Sequence, residues 1–312
     1  MVVRASNLRI ATWKYASLAY VMIVVAGLVD LWITLKSPVE HSMDKQSGLA
    51  LRVVAAGTVI AQMGIWYIAL KSAVRFMRYI QSIQSSKDGK GMIDVARALL
   101  WLIVYIVVLP LTSSIAEKAA HKPHGYALVI LHNYVPLLAM IAAVGYLYRG
   151  SRRLMSLVER PVSQIRWRVL VLLLFSFVAV WFAWNFSRTA PNLMQDSPIP
   201  RFVLPLRVLF LTYVLPHLVV WLFGLLAIMN LWQYSTQVDG SIYRHLFRNL
   251  YKGIFLVFVC TFIVQLIIEA GVTLSTFNVG ELIIYAVLIV GAAGYLFIYR
   301  GVQQLLRLES VS

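Results

Sequence analysis

Eight stretches of about twenty mostly apolar residues recur along this 312-residue chain, and no other feature narrows its folding options so far. They run roughly over 13–35, 50–76, 95–117, 126–148, 168–187, 205–230, 250–271 and 281–299. Wound as α-helix at ~1.5 Å per residue, each matches the ~30 Å hydrocarbon core of a bilayer. A transmembrane barrel would instead need short alternating segments. The expected fold class is therefore all-α, a polytopic membrane protein with eight transmembrane helices. Hydrophobic residues make up 61% of the chain and charged residues 13%, too little polarity to coat a soluble globule.

The net charge of +16 would suggest nucleic acid in a soluble protein. Here the basic residues fall at the ends of apolar runs, which points to membrane topology and anionic lipid headgroups as the contact, not nucleic acid. The N-terminus, 71–97, 149–168, 239–252 and the C-terminus together hold 20 Lys or Arg and 5 acids. The rest of the chain holds 8 and 7. Short basic loops stay in the cytoplasm, so both termini are expected there, in a multi-pass cell-membrane protein. The first run, about Tyr15 to Leu35, is longer than a signal-peptide core and is expected to be a retained span. Cys260 is the sole cysteine, which excludes an internal disulfide.

The two halves share landmarks. Leu51-Arg52-Val53 meets Leu206-Arg207-Val208 at an offset of 155, as do Val59 with Val214 and Trp66 with Trp221. Arg97 meets Arg248 at 151, and Tyr148-Arg149-Gly150 meets Tyr299-Arg300-Gly301 at the same offset. Two tandem pseudo-symmetric four-helix halves are expected, 1–155 and 156–312, related about an axis along the membrane normal. Their join, Arg149 to Arg168 with Pro161 inside, reads as a short interfacial helix and a turn. The layout of each half, with an Arg-led third span and a fourth span ending in Tyr-Arg, resembles an uncharacterised bacterial four-helix membrane domain of unknown function. That resemblance implies a prokaryotic origin and no particular activity.

Ionisable groups are expensive in hydrocarbon, so each one inside a run is a candidate for function. Asp30, Gln62, His217 and Glu269 are the candidates for binding a solute. Arg52, Glu117, His132, Arg207 and Glu281 form a candidate outer polar cluster, with interfacial snorkelling and helix-locking ion pairs as the competing explanation. Pro110, Pro136 and Pro216 fall inside runs and are expected to kink them; Pro216 immediately precedes His217. His121 and His124 stand three apart in a loop, but a metal site needs further ligands at suitable spacing, and none is assigned. Haem would require two buried histidines on facing helices, with His132 and His217 the available pair. No phosphate loop, catalytic triad or paired catalytic carboxylates can be defended.

The leading expectation is a non-enzymatic membrane protein, without cofactor, that binds or transports a small solute between its halves. An accessory subunit of a larger membrane complex, held by a membrane protein partner, is the alternative. A haem- or quinone-binding redox protein comes third.

Overall fold

The computed structural model describes residues 20–21, 23–29, 31–32, 45–82, 87–120, 126–158, 169, 171–173, 175–177, 179–180, 212, 215–238, 241–269 and 289–304. Among these residues there are eight helical segments and no strand. We number them α1 (within 20–32), α2 (Lys45–Ser82), α3 (Lys87–Ala120), α4 (Tyr126–Met155), α5 (within 169–180), α6 (Leu215–Gln237), α7 (Ser241–Glu269) and α8 (289–304). Two stretches, Gly89–Val108 and Leu215–Gln237, are long and apolar enough to cross a membrane.

The helices overrun the apolar runs mainly at one kind of end. α2 continues past 76 to Ser82, α3 begins before 95 at Lys87, α4 passes 148 to Met155, and α7 begins well before 250 at Ser241. These extensions are rich in Lys, Arg, Gln and Ser. The long polar side chains among them favour helix and no proline interrupts them, so the backbone winds on, even through Gly89, Gly91 and Gly150, where hydropathy has already fallen. The stretch 149–155 is accordingly the last two turns of α4, not the separate interfacial helix expected at the join. A turn over 156–158 follows it. Pro136 lies inside α4, and Pro216 lies in α6 beside His217.

Neighbour contacts close into a ring. α2 packs on α3, α3 on α4, α4 on α6 and α6 on α7. α7 meets α8 where Gly253 lies against Gly294, and α8 returns to α2 where Arg75 Nη1 donates to Tyr299 Oη at 3.3 Å. Outside this ring, α1 lies on α2 through Gly27 against Met63 and through an edge-to-face pair of Tyr20 and Tyr67. Phe175 and Ala179 of α5 also touch the core. The inside is filled by Trp66, Phe76, Leu147, Leu231, Phe247, Leu250 and similar side chains, all under 2% exposed.

Two glycine crossings set the closest approaches. A Cβ on Gly150 would stand 2.8 Å from the Gly91 carbonyl oxygen and 3.0 Å from Val95 N. A Cβ on Gly294 would stand 2.9 Å from the Gly253 carbonyl oxygen and 3.1 Å from Val257 N. Only glycine lets backbones come this near, the usual device where helices associate without hydrophobic driving force. α4 and α6 touch along their lengths and run parallel: Tyr134 Oη bonds Thr212 Oγ1 at 2.7 Å, Tyr148 meets Phe223 edge-on, and Asn230 Nδ2 donates to Ser151 Oγ at 3.3 Å.

Candidate functional site

Every lysine and arginine whose side chain is described lies at 71–97, 149–153, 244–252 or 300. Contacts tie those helix ends into one layer, which we call the basic end. Asp94 meets Arg149, Ser151 meets Asn230, Tyr234 stacks edge-on against Phe247, Asn249 meets Gln304, and Tyr299 meets Arg75. Gln303 Nε2 also donates to Tyr299 Oη at 2.7 Å.

The densest chemistry in this layer is built on the glycine crossing of α3 and α4. Arg149 and Arg153 are four residues apart, so both project from one face of α4. The close approach at Gly91 and Gly150 brings that face onto Asp94 of α3. Arg149 forks onto the carboxylate, with Nε to Oδ2 at 2.9 Å and Nη2 to Oδ1 at 2.7 Å. Arg153 Nη1 donates to Oδ2 at 2.6 Å, and Arg97 Nη1 stands 3.6 Å from Oδ1. Beside them the Tyr146 ring receives two guanidiniums, Arg149 at 4.9 Å and Arg97 at 5.8 Å from its centroid.

Burial divides the roles. The Asp94 side chain is 1% exposed, while Arg97, Arg149 and Arg153 are about half exposed at 50%, 48% and 50%. A carboxylate so deep would be costly alone, and three short charge-assisted hydrogen bonds offset that cost. Asp94, chiefly through its hydrogen bonds, raises the Arg149 guanidinium above its ordinary value, so Arg149 carries its charge at any physiological pH. Three cations surround one anion. The cluster keeps a net positive charge, and most of its N–H donors stay uncommitted because each guanidinium has five.

Gly150 packs on Gly91 and Val95, and Gly301, 151 positions later, packs on Asn249 and Leu246. The same offset carries Arg97 and Arg149 onto Arg248 and Arg300, Asp94 onto His245 and Arg153 onto Gln304. The carboxylate that gathers the arginines therefore has no equivalent at that position.

The residues singled out from the sequence fare unevenly. His217 is buried on α6, its ring edge-on to Trp221 one turn away, and Gln62 is partly exposed on α2, one turn from the buried Trp66. α2 packs mainly on α3, and α6 on α4 and α7, so the two polar residues sit on helices with different principal neighbours. Asp30, Arg207, Glu281, His121 and His124 lie outside the described residues. Arg52, Glu117, His132 and Glu269 lie on α2, α3, α4 and α7, with side chains outside the description.

Sequence reasoning passed over Asp94, counting it as one loop charge among many. Two signals pointed to it: an acid three residues before Arg97, and the Arg149–Arg153 pair flanking Gly150 on the following helix. Among the described residues the hydrogen-bonded polar network gathers at the basic end. Polar groups buried without a partner among the described residues include Trp66 Nε1 and Tyr295 Oη. No protein-family model, curated protein or solved structure matches the chain.

Proposed function

We propose that this chain is a cell-membrane protein whose eight helices all span the bilayer, with the basic end and both termini in the cytoplasm. It consists of two tandem four-helix halves, 1–155 and 156–312, and binds or moves a small solute where they meet. The membrane reading draws support from an outside that is apolar rather than polar. Leu173 is 66% exposed, Phe177 71%, Val180 71% and Leu138 63%. Water would penalise such a surface and lipid would not. The gathering of described cations at one end favours the cytoplasm for that end. Duplication draws support from the cyclic order of contacts, which repeats after three helices, and from the Gly150–Val95 and Gly301–Leu246 contacts at one shared offset.

The observation that carries the solute reading is a matched pair. Gln62 precedes buried Trp66 by one turn on α2, and His217 precedes buried Trp221 by one turn on α6. Each repeat position thus offers a polar group one turn from a buried tryptophan, a pairing suited to a small polar molecule. Trp66 Nε1 and Tyr295 Oη add buried donors in want of an acceptor. Asp30 and Glu269 remain the acidic candidates.

The test is purification from the native membrane in mild detergent, followed by an absorption spectrum and mass spectrometry of whatever co-elutes. The expected result is a colourless chain that retains a small molecule, with retention lost in Gln62→Ala and His217→Ala. Unchanged retention in all of Asp30→Asn, Gln62→Ala, His217→Ala and Glu269→Gln would sink the solute reading. Stoichiometric co-purifying subunits would favour the accessory-subunit reading, for which the exposed stripe Leu173, Phe177 and Val180 on α5 is the candidate contact. A Soret band would favour haem.

A further inference from the structure

We propose that Arg97, Arg149 and Arg153 bind the phosphate of an anionic phospholipid, whose acyl chain lies along the exposed faces of α3 and α4 past Trp101 and Gly145. The inference rests on the membrane reading above and is independent of solute binding.

Charge complementarity supplies the first argument. One carboxylate cannot neutralise three guanidiniums, and Asp94 engages only two donors of Arg149 and one of Arg153 at hydrogen-bond distance. Arg97, at 3.6 Å, is held more loosely. All three cations keep about half of their side-chain surface open. Guanidinium forks match phosphate oxygens in geometry as well as sign. Asp94 preorganises them, because its buried carboxylate fixes two of the three in place before any anion arrives.

The second argument concerns what continues from the site. Trp101 lies one turn along α3 from Arg97, and Gly145 one turn back along α4 from Arg149, so both stand on the same faces as the arginines. Both are exposed, as are Val104 and Ile141 beyond them. A Cβ at Gly145 would meet nothing within 4 Å. An exposed apolar strip on α3 and α4 therefore continues from the basic cluster along the outside of the helices. Free phosphate would use only the basic site; a phospholipid uses both. The second half, with His245 in place of Asp94 and Gln304 in place of Arg153, lacks the organiser, so one site per chain is expected.

The test uses the full chain in detergent, with phosphatidylglycerol, phosphatidylcholine and inorganic phosphate as separate probes, and native mass spectrometry as the readout. Wild type should retain one phosphatidylglycerol in preference to phosphatidylcholine. Arg97→Gln leaves the short Asp94 bonds intact and should fold, yet lower phosphatidylglycerol affinity about tenfold, the loss typical of one charged hydrogen bond. Arg248→Gln, the matching position in the second half, should leave affinity unchanged. Gly145→Leu should weaken phosphatidylglycerol without affecting inorganic phosphate. Equal losses in Arg97→Gln and Arg248→Gln would overturn the site in favour of diffuse attraction to a basic face. Inorganic phosphate binding as tightly as the lipid, with Gly145→Leu inert, would overturn the lipid assignment. A chain that stays monodisperse without detergent would instead refute the membrane reading itself.

Discussion

Replacing Gly253 by alanine should destabilise the protein by about 1–2 kcal/mol, although alanine is the better helix former. The added methyl would sit 2.5 Å from the Gly294 carbonyl oxygen, 2.5 Å from Ile298 Cγ1 and 3.0 Å from Ile298 N. Ile298 Cγ1 can swing aside. A carbonyl oxygen and an amide nitrogen cannot, so α8 must retreat by about 1 Å, which loosens the surrounding contacts of Ile254, Val257 and Ile298. Overpacking of this kind costs about 1–3 kcal/mol, offset by at most about 1 kcal/mol of helix propensity. Gly291, one turn away on α8, supplies the control: a Cβ there meets nothing within 4 Å, so Gly291→Ala should be neutral or mildly stabilising. Gly91→Ala should fall between, because its nearest neighbour is the Leu154 side chain at 2.8 Å and the nearest backbone atom, the Gly150 carbonyl oxygen, stands at 3.2 Å. Unfolding in mixed detergent micelles, followed by intrinsic tryptophan fluorescence, measures all three. Gly253→Ala matching Gly291→Ala within about 0.5 kcal/mol would refute the claim that backbone contact sets the α7–α8 distance.

Asp94→Asn should lower Tm by about 5 °C, because three guanidiniums lose their common partner while staying close together; Arg97→Gln, which loses only a 3.6 Å contact, should change Tm far less. A double-mutant cycle of Ser151→Ala and Asn230→Ala should return an interaction of about 0.6 kcal/mol, as expected for a hydrogen bond between membrane helices, and a value of zero would mean that the 3.3 Å contact does not hold α4 to α6. Cys260 is buried in α7, so a thiol reagent should react slowly with the folded chain and fully after denaturation. In a Cys260→Ala background, an impermeant maleimide applied to intact cells should label Lys122→Cys and spare Ser85→Cys; the reverse pattern would invert the proposed orientation.

The all-helical class was legible because the apolar runs are long and continuous rather than short and alternating, a pattern that favours helix over strand. The helix ends were not. Hydropathy falls at Arg149, but Arg149, Arg152 and Arg153 are good helix formers and α4 simply continues through them. The ring of contacts was half legible: matching landmarks such as Trp66 and Trp221 hinted at related halves, but pairing α4 with α6 and α8 with α2 depends on side-chain fit that periodicity does not encode. Asp94 escaped because its meaning lies in two arginines of the adjoining helix, Arg149 and Arg153, brought near by two glycines whose role is visible only once helices touch. His217 stood out as a polar group within an apolar run; its burial against Trp221 is local, one turn along the same helix, and is the kind of pairing that i,i+4 spacing does reveal.

The parallel run of α4 and α6 has a consequence for biosynthesis. Antiparallel neighbours can zip together as a hairpin while still leaving the ribosome, but parallel ones cannot, because the chain must first travel back across the bundle. Tyr134 and Thr212 are 78 positions apart, and Ser151 and Asn230 79. At about 5–20 residues per second, the partner surface of α4 waits roughly 4–16 s for α6 to be made. During that interval the first four helices stand as an incomplete assembly with Ser151 and Tyr148 uncovered. Until α6 exists, the Gly91–Gly150 crossing and the Asp94 cluster are the contacts that can already hold α3 and α4 together.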